Sequence, residues 1–265
     1  MLAETALHIS PPATTAGALA TSVAIADRTI RRYVRTPQLL VLGTIQGALF
    51  LLIFRYAFGG AIDTGGVAYV DYLVPGYLVS SVLFSAAGAA AGVAEDVERG
   101  LTDRLRSLPV SRLALLAGRS MADTALLTWG LLVASTIAVL VGFRIVAGVP
   151  DAVAAFALCV VFGFAFTWVF IYIGNIAGSA QAAQGISMLV FPLTAVSSAY
   201  VPIDTMPGWM QAIAEHQPLT AMTNAVRSLV LGGSDSGHWV ALSLAWCAGL
   251  VAVFAPLAVL RYRRA

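Results

Sequence analysis

The chain of 265 residues is 59% apolar and only 11% charged, with a mean hydropathy of +0.87, where soluble domains carry about a quarter charged residues. That composition excludes an ordinary soluble domain and leaves room for about six apolar spans of about 20 residues, the mark of a polytopic membrane protein. All 15 basic residues are arginine, and the net charge is only +2, so the chain offers no P-loop lysine for a nucleotide's terminal phosphates, no Schiff-base lysine and no basic excess that would suggest a nucleic-acid partner.

Residues 1–17 hold Pro11 and Pro12 among scattered threonines and show no apolar period, so they read as a disordered tail; they lack the basic start and sustained apolar core of a secretory signal. From 18 to 36, Leu19, Val23, Ala26, Ile30 and Tyr33 recur at spacings of three and four, while Arg28, Arg31, Arg32 and Arg35 fall mostly on the other side. This pattern predicts an amphipathic helix in the membrane interface, broken by Pro37. Six spans follow, at about 38–58, 72–93, 118–141, 152–173, 185–200 and 239–260, each near the length a bilayer core requires. The fifth is the shortest and contains Pro192, so it reads either as a broken helix whose freed backbone groups are buried in protein or as one that is barely tilted.

Twelve of the arginines lie in three segments: before the first span, from the end of the second to the first turn of the third, and after the sixth. The bias of basic residues toward cytoplasmic loops places both termini in the cytoplasm. Within the second of these segments, residues 95–112 read EDVERGLTDRLRSLPVSR, with Val97, Leu101, Leu105 and Leu108 forming one apolar stripe at helical spacing. Pro109 ends that predicted helix, and Ser111 is placed to cap the third span. Periodicity alone leaves two readings open, a solvated connector carrying i,i+4 ion pairs and a helix that docks into a groove on a partner.

Glu98-Arg99-Gly100-Leu101 followed by Leu105-Arg106-Ser107-Leu108-Pro109-Val110-Ser111-Arg112 resembles the cytoplasmic loop of type-2 ABC transporter permeases, in particular the daunorubicin-resistance (DrrB-like) branch. Further similarities follow in order: Arg35-Thr36-Pro37, Phe58-Gly59-Gly60, Tyr72-Leu73-Val74-Pro75-Gly76-Tyr77, Val201-Pro202-Ile203 to Met206-Pro207-Gly208-Trp209, Gln217-Pro218-Leu219-Thr220, and Arg227-Ser228-Leu229 to Gly232-Gly233. Gln217 stands where the family often has Asn. The resemblance implies an all-α membrane domain over 18–265, with six spans, the interfacial helix and a cytoplasmic coupling helix. It also implies a dimer with a second copy or a related permease, driven by a separate cytoplasmic ATPase that holds ATP and Mg, this chain binding no cofactor and catalysing nothing itself. The coupling helix is then expected to use Glu95, Glu98, Arg99, Gly100, Leu101, Arg104, Leu105, Arg106 and Pro109, with the 98–100 turn facing the ATPase. Pro202, Met206, Pro207 and Trp209 are expected to help close the outer mouth.

The remaining signals each admit a plain structural reading. Gly43-xxx-Gly47, Gly88-xxx-Gly92 and Gly174-xxx-Gly178 permit close helix approach. Arg55 is placed to snorkel to the interface, and Asp123 to pair with Arg119 one turn earlier. The segment after the fifth span reads as a short helix on or dipping into the membrane, with Trp209 at the interface. Phe164, Trp168 and Tyr172 belong to an aromatic run in the fourth span that suits either core packing or contact with a hydrophobic substrate. His8, His216 and His238 have no metal-ligand spacing, and Cys159 and Cys247 no redox spacing. The expected function is export of a hydrophobic drug, antibiotic or lipid across a bacterial plasma membrane whose lipids contact the chain. A polysaccharide or glycolipid permease is the alternative, and a polytopic enzyme or a scaffold stands further off.

Overall fold

A computed structural model describes residues 15–35, 37–58, 68–100, 112–233 and 235–264. Of the expected tail over 1–17, residues 1–14 lie outside them, while 15–17 already belong to the first helix. The helices in order are α1 (Thr15–Val34), α2 (Pro37–Ile53) running into a π-helical turn (Phe54–Phe58), α3 (Tyr69–Glu98), α4 (Arg112–Leu140), α5 (Val149–Ile176), α6 (Ala180–Ser187) and α7 (Val190–Ala195). A 3₁₀ turn (Ile203–Thr205) precedes α8 (Gly208–His216), α9 (Pro218–Leu231) and α10 (Ser236–Arg264). Among the described residues, four helices are long and apolar enough to cross a membrane: Tyr69–Glu98, Leu113–Leu140, Val149–Ile176 and Ser236–Tyr262.

Local chemistry sets several of these boundaries. Asp71 in the first turn of α3, and Pro150 with Asp151 in that of α5, suit helix starts, where an unneeded N–H and a negative charge are both favourable. Pro218 opens α9 and Gly232, at φ +82°, closes it in the left-handed conformation that glycine adopts without steric cost. The predicted fifth span is not one helix. It divides at Met188–Leu189 into α6 and α7, of eight and six residues.

α3 lies at the centre of the bundle. Leu73, Val79, Val82 and Leu83 are buried with Leu127 of α4, Phe162 of α5 and Met222 of α9. Stacked and tilted rings of Phe50, Phe54, Tyr77 and Tyr200 join the end of α2 to α3, with centroids 4.4–5.9 Å apart. Gly76 admits the backbone of Ala199 so closely that a Cβ there collides with the Ala199 carbonyl. Because the obstacle is backbone, no side-chain rotation relieves it. Gly76→Ala is therefore expected to cost about 2 kcal/mol and to lower the melting temperature of the detergent-solubilised protein, whereas Gly88→Ala, which meets nothing within 4 Å, leaves it unchanged.

The glycine pairs divide in the same way. Gly47 faces the Tyr77 hydroxyl, Gly92 the Arg119 guanidinium and Gly174 the α3 backbone at Ala90, while their partners Gly88 and Gly178 meet nothing and Gly43 has no described contact. In the 88–92 and 174–178 motifs a single glycine makes the close approach, so neither is a two-glycine seam among the described residues.

Candidate functional site

One end of the bundle is formed by the start of α4 and the end of α3. Arg119 donates through Nη1 to Asp96 Oδ2 at 2.7 Å and through Nε to Asp123 Oδ2 at 2.9 Å. The guanidinium thus lies between two carboxylates about 10 Å along α4 from its start, and Gly92 leaves it room. Sequence spacing exposed the pair with Asp123; the bond to Asp96 crosses between helices and has no local signal. Arg119 and Asp123 are buried, and such a buried ion pair holds its place only if geometry and hydrogen bonds offset desolvation.

The same end carries a local correction. Glu95, Asp96 and Glu98 do not begin a separate coupling helix: they form the last turn of α3, which stops at Arg99 and Gly100. The N–H groups of Arg99 and Gly100 bond back to the Glu95 and Val97 carbonyls, and Gly100, at φ +66°, takes the left-handed conformation that commonly ends a helix. Arg99 pairs with Glu95 one turn before it. Glu98 bends across to accept from the Ala180 N–H at the start of α6, at 3.1 Å. Leu101, Arg104, Leu105, Arg106 and Pro109 lie outside the described residues.

α1 rests on this end. Ser22 Oγ donates to the Ala114 carbonyl at 2.9 Å, and Gly118 lets the α1 backbone approach at Ser22. The expected apolar face divides: Ala26 is buried with Ser22 against α4, whereas Val23 and Ile30 are exposed. Small residues permit a close helix contact, and large apolar ones need no protein cover beside lipid. Arg28, Arg31 and Arg35 are exposed, Arg31 pairing with Asp27 at 2.9 Å; the side chain of Arg32 lies outside the described residues.

The opposite end is closed by α8, α9 and the turn after α7. Arg227 on α9 donates through Nη2 to the carbonyls of Ser198 (2.9 Å) and Tyr72 (3.1 Å), and through Nη1 to Asn224 Oδ1 (3.1 Å). Its guanidinium carbon stands 3.8 Å from the centre of the Tyr72 ring, whose hydroxyl also donates to the Ser198 carbonyl at 3.1 Å. Ser198 Oγ completes the cluster by donating to Asn224 Oδ1 at 3.0 Å. Gln217 spends its longer side chain on the Val196 carbonyl at the end of α7, which gives this departure from the usual Asn a partner of its own. In the sequence Tyr72 and Arg227 stand out only as motif members; an arginine three residues after Asn224, among small and apolar residues, is the signal that marks the cluster.

Pro202 and Met206 are half-buried and Pro207 and Trp209 exposed. Gln211 Nε2 ties this turn together by donating to the Met206 and Asp204 carbonyls at 2.8 and 3.3 Å. Arg55 lies against Gly142 at the turn after α4, with its guanidinium carbon 5.4 Å from the Tyr56 ring centre.

The aromatic run of α5 divides. Trp168, only 4% exposed, packs with Val93, Leu115 and Tyr262 in a second core, and Tyr172 meets Phe254 of α10 edge-on at 5.9 Å. Phe164 lines an open groove of about 490 Å³ with Met121, Thr124, Thr128, Trp129 and Leu132 of α4. The hydroxyls of Thr124 and Thr128 donate to carbonyls of their own helix at 2.7 Å, which leaves the groove an apolar face toward the surroundings.

Apolar helices that expose Leu140 and Trp129 while burying ion pairs and hydroxyls define a multi-pass membrane protein, locked at one end by Arg119 and at the other by Arg227. Residues 22–231 match the family model described as ABC-2 type transporter. The chain is 35% identical over 238 residues, 89% of its own length and 83% of the relative's, to the daunorubicin resistance ABC transporter permease protein DrrB1 of Streptomyces coeruleorubidus. It is also 28% identical over 247 residues, 90% of its length and 87% of the relative's, to the probable doxorubicin resistance ABC transporter permease protein DrrC of Mycobacterium tuberculosis. The chain belongs to the ABC-2 type transporter family, as a permease of the DrrB-like branch.

Proposed function

We propose that this chain is the membrane-spanning subunit of an ATP-driven exporter of hydrophobic drugs, antibiotics or lipids in a bacterial plasma membrane. The observation that carries this reading is the 35% identity, over 89% of the chain, to a daunorubicin resistance permease. Since the chain has no lysine, it has no P-loop, and ATP and Mg belong to a separate ATPase subunit. Six segments cross the bilayer in this reading: the four long helices, α2 with its π turn, and the broken pair α6–α7.

The Arg119 end faces the cytoplasm. Arg28, Arg31 and Arg35 of α1 and Arg99 support that orientation, with α1 lying in the interface and its Val23 and Ile30 turned to lipid. The segment after Gly100 meets the ATPase, while α8 and α9 cover the outer mouth. A second permease copy completes the pathway, against the apolar residues that α2 and α6–α7 leave exposed, among them Ile45, Leu49, Met188 and Phe191.

The test is purification of the tagged protein from its native membrane, followed by doxorubicin uptake into inverted vesicles. Wild type is expected to bring a P-loop ATPase in stoichiometric amount and to take up doxorubicin only with ATP. Reversing the docking charges, Arg99→Glu with Arg104→Glu and Arg106→Glu, is expected to lower ATPase recovery by about tenfold, the scale of removing interfacial charge contacts. Wild-type vesicles that hold the ATPase but move a polysaccharide and no drug would reassign the cargo; absence of any ATPase would overturn the reading.

A further inference from the structure

Three carboxylates, Glu95, Asp96 and Glu98, occupy the last turn of α3, where the helix dipole is negative and anions are unfavourable. Each is turned to a positive group: Glu95 to Arg99, Asp96 to Arg119 and Glu98 to the start of α6. α6 has its own cap, Ser179, whose Oγ accepts from the Ala182 N–H at 3.0 Å. The Glu98 bond therefore adds an 82-residue cross-link to a helix that is already capped. A second bond joins the same helices farther along, from Ser187 Oγ to the Ala87 carbonyl at 3.2 Å, so α6 lies antiparallel on α3 and is held at both ends. Just beyond Ser187 the chain breaks into α7, and one residue beyond Glu98–Arg99 it turns left-handed at Gly100 toward the docking segment.

We infer that Glu98 is a positioning residue that carries displacement of the docking turn to α6, the first half of the broken fifth segment, through its carboxylate bond to the Ala180 N–H. This rests on the reading of the segment after Gly100 as the ATPase contact. A bond between two rigid helices on either side of a hinge moves them together, and the break at Met188–Leu189 lets α6 shift without dragging α7 by the same amount.

The bond can be removed from either side in the intact permease–ATPase complex, reconstituted in vesicles and read as doxorubicin moved per ATP hydrolysed. Glu98→Ala removes the acceptor. Ala180→Pro removes the donor at the first helical position, where proline is well tolerated and where the preceding Ser179, at φ −151° and ψ 153°, already has the extended backbone that proline demands. Each is expected to lower the transport-to-hydrolysis ratio by about tenfold, the scale of one hydrogen bond to a charged group, with the ATPase still co-purifying. The double variant is expected to be no worse than either single, since both delete one contact.

Glu98→Gln, which keeps an acceptor at the same reach, is expected to recover part of the ratio. Ser179→Ala, which weakens the cap without touching α3, is expected to leave it near wild type. Equal ratios in wild type and both single variants overturn the inference. So does loss of the ATPase in Glu98→Ala but not in Ala180→Pro, which assigns Glu98 to the docking face instead. Failure of the wild-type complex to hold an ATPase is a different result, and sinks the underlying reading.

Discussion

Arg227→Ala is expected to destabilise the protein by about 3 kcal/mol, read as a fall of several degrees in the melting temperature of the detergent-solubilised chain. The side chain serves acceptors on three separate elements: the Tyr72 carbonyl in the first turn of α3, the Ser198 carbonyl after α7, and Asn224 one turn back on α9. Alanine removes all of these bonds at once. A buried polar group stripped of its partner costs about 1–3 kcal/mol, and the ring contact with Tyr72 adds about 1 kcal/mol or more.

Arg227→Lys is expected to recover little. An ammonium is a point donor that cannot reach two carbonyls in a plane while covering an aromatic face. Tyr72→Phe separates the contributions, because it keeps the ring under the guanidinium and deletes only the hydroxyl bond to Ser198, so a loss of about 1 kcal/mol is expected. A melting curve for Arg227→Ala that overlays wild type would show that α9 is held by its apolar face alone.

The apolar runs announced the long helices because each span must satisfy its backbone internally, and α3, α4, α5 and α10 fall where that periodicity places them. Which faces meet was not legible, since beside lipid an apolar side chain needs no partner. Leu140 is 80% exposed and Met188 70%, while Ser80, Thr167 and Thr223 are buried. Val23 and Ile30 of the α1 stripe accordingly point away from the protein, and the contact is made by Ser22 and Ala26. α9 is illegible for the same reason: Thr220, Thr223 and Asn224 interrupt any apolar run, yet Leu219, Met222 and Val226 bury it in the main core. At the other end, the apolar stripe from Val97 to Leu108 suggested a helix beginning at Glu95, whereas the left-handed glycine at 100 ends α3 first. The glycine was visible in the sequence, and its competing claim was the stronger one because a helix interior disfavours it.

The second large effect is expected at Arg119. Arg119→Ala takes the cation from between Asp96 and Asp123, and breaking a buried pair in this way costs about 3–5 kcal/mol because it leaves charge where water cannot reach it. Loss of monodisperse protein after solubilisation is the readout expected for this variant. Two further changes distinguish a shortage of charge balance from a shortage of packing. Arg119→Met with Asp123→Leu keeps volume and removes one cation and one anion together, so it is expected to recover most of the stability, since apolar groups of similar size often replace a buried pair at no net cost. Adding Asp96→Asn to that double variant also removes the second of Arg119's two carboxylate partners, at the C-terminal turn of α3 where the helix dipole opposes negative charge, and is expected to raise stability further. Full stability in Arg119→Ala would show that the two carboxylates are already compensated by other groups. If instead the double variant folds as well as wild type yet fails to couple drug movement to hydrolysis, the Arg119 bridge between α3 and α4 transmits motion at the same end as Glu98, and its charge is retained for that role at a cost in stability.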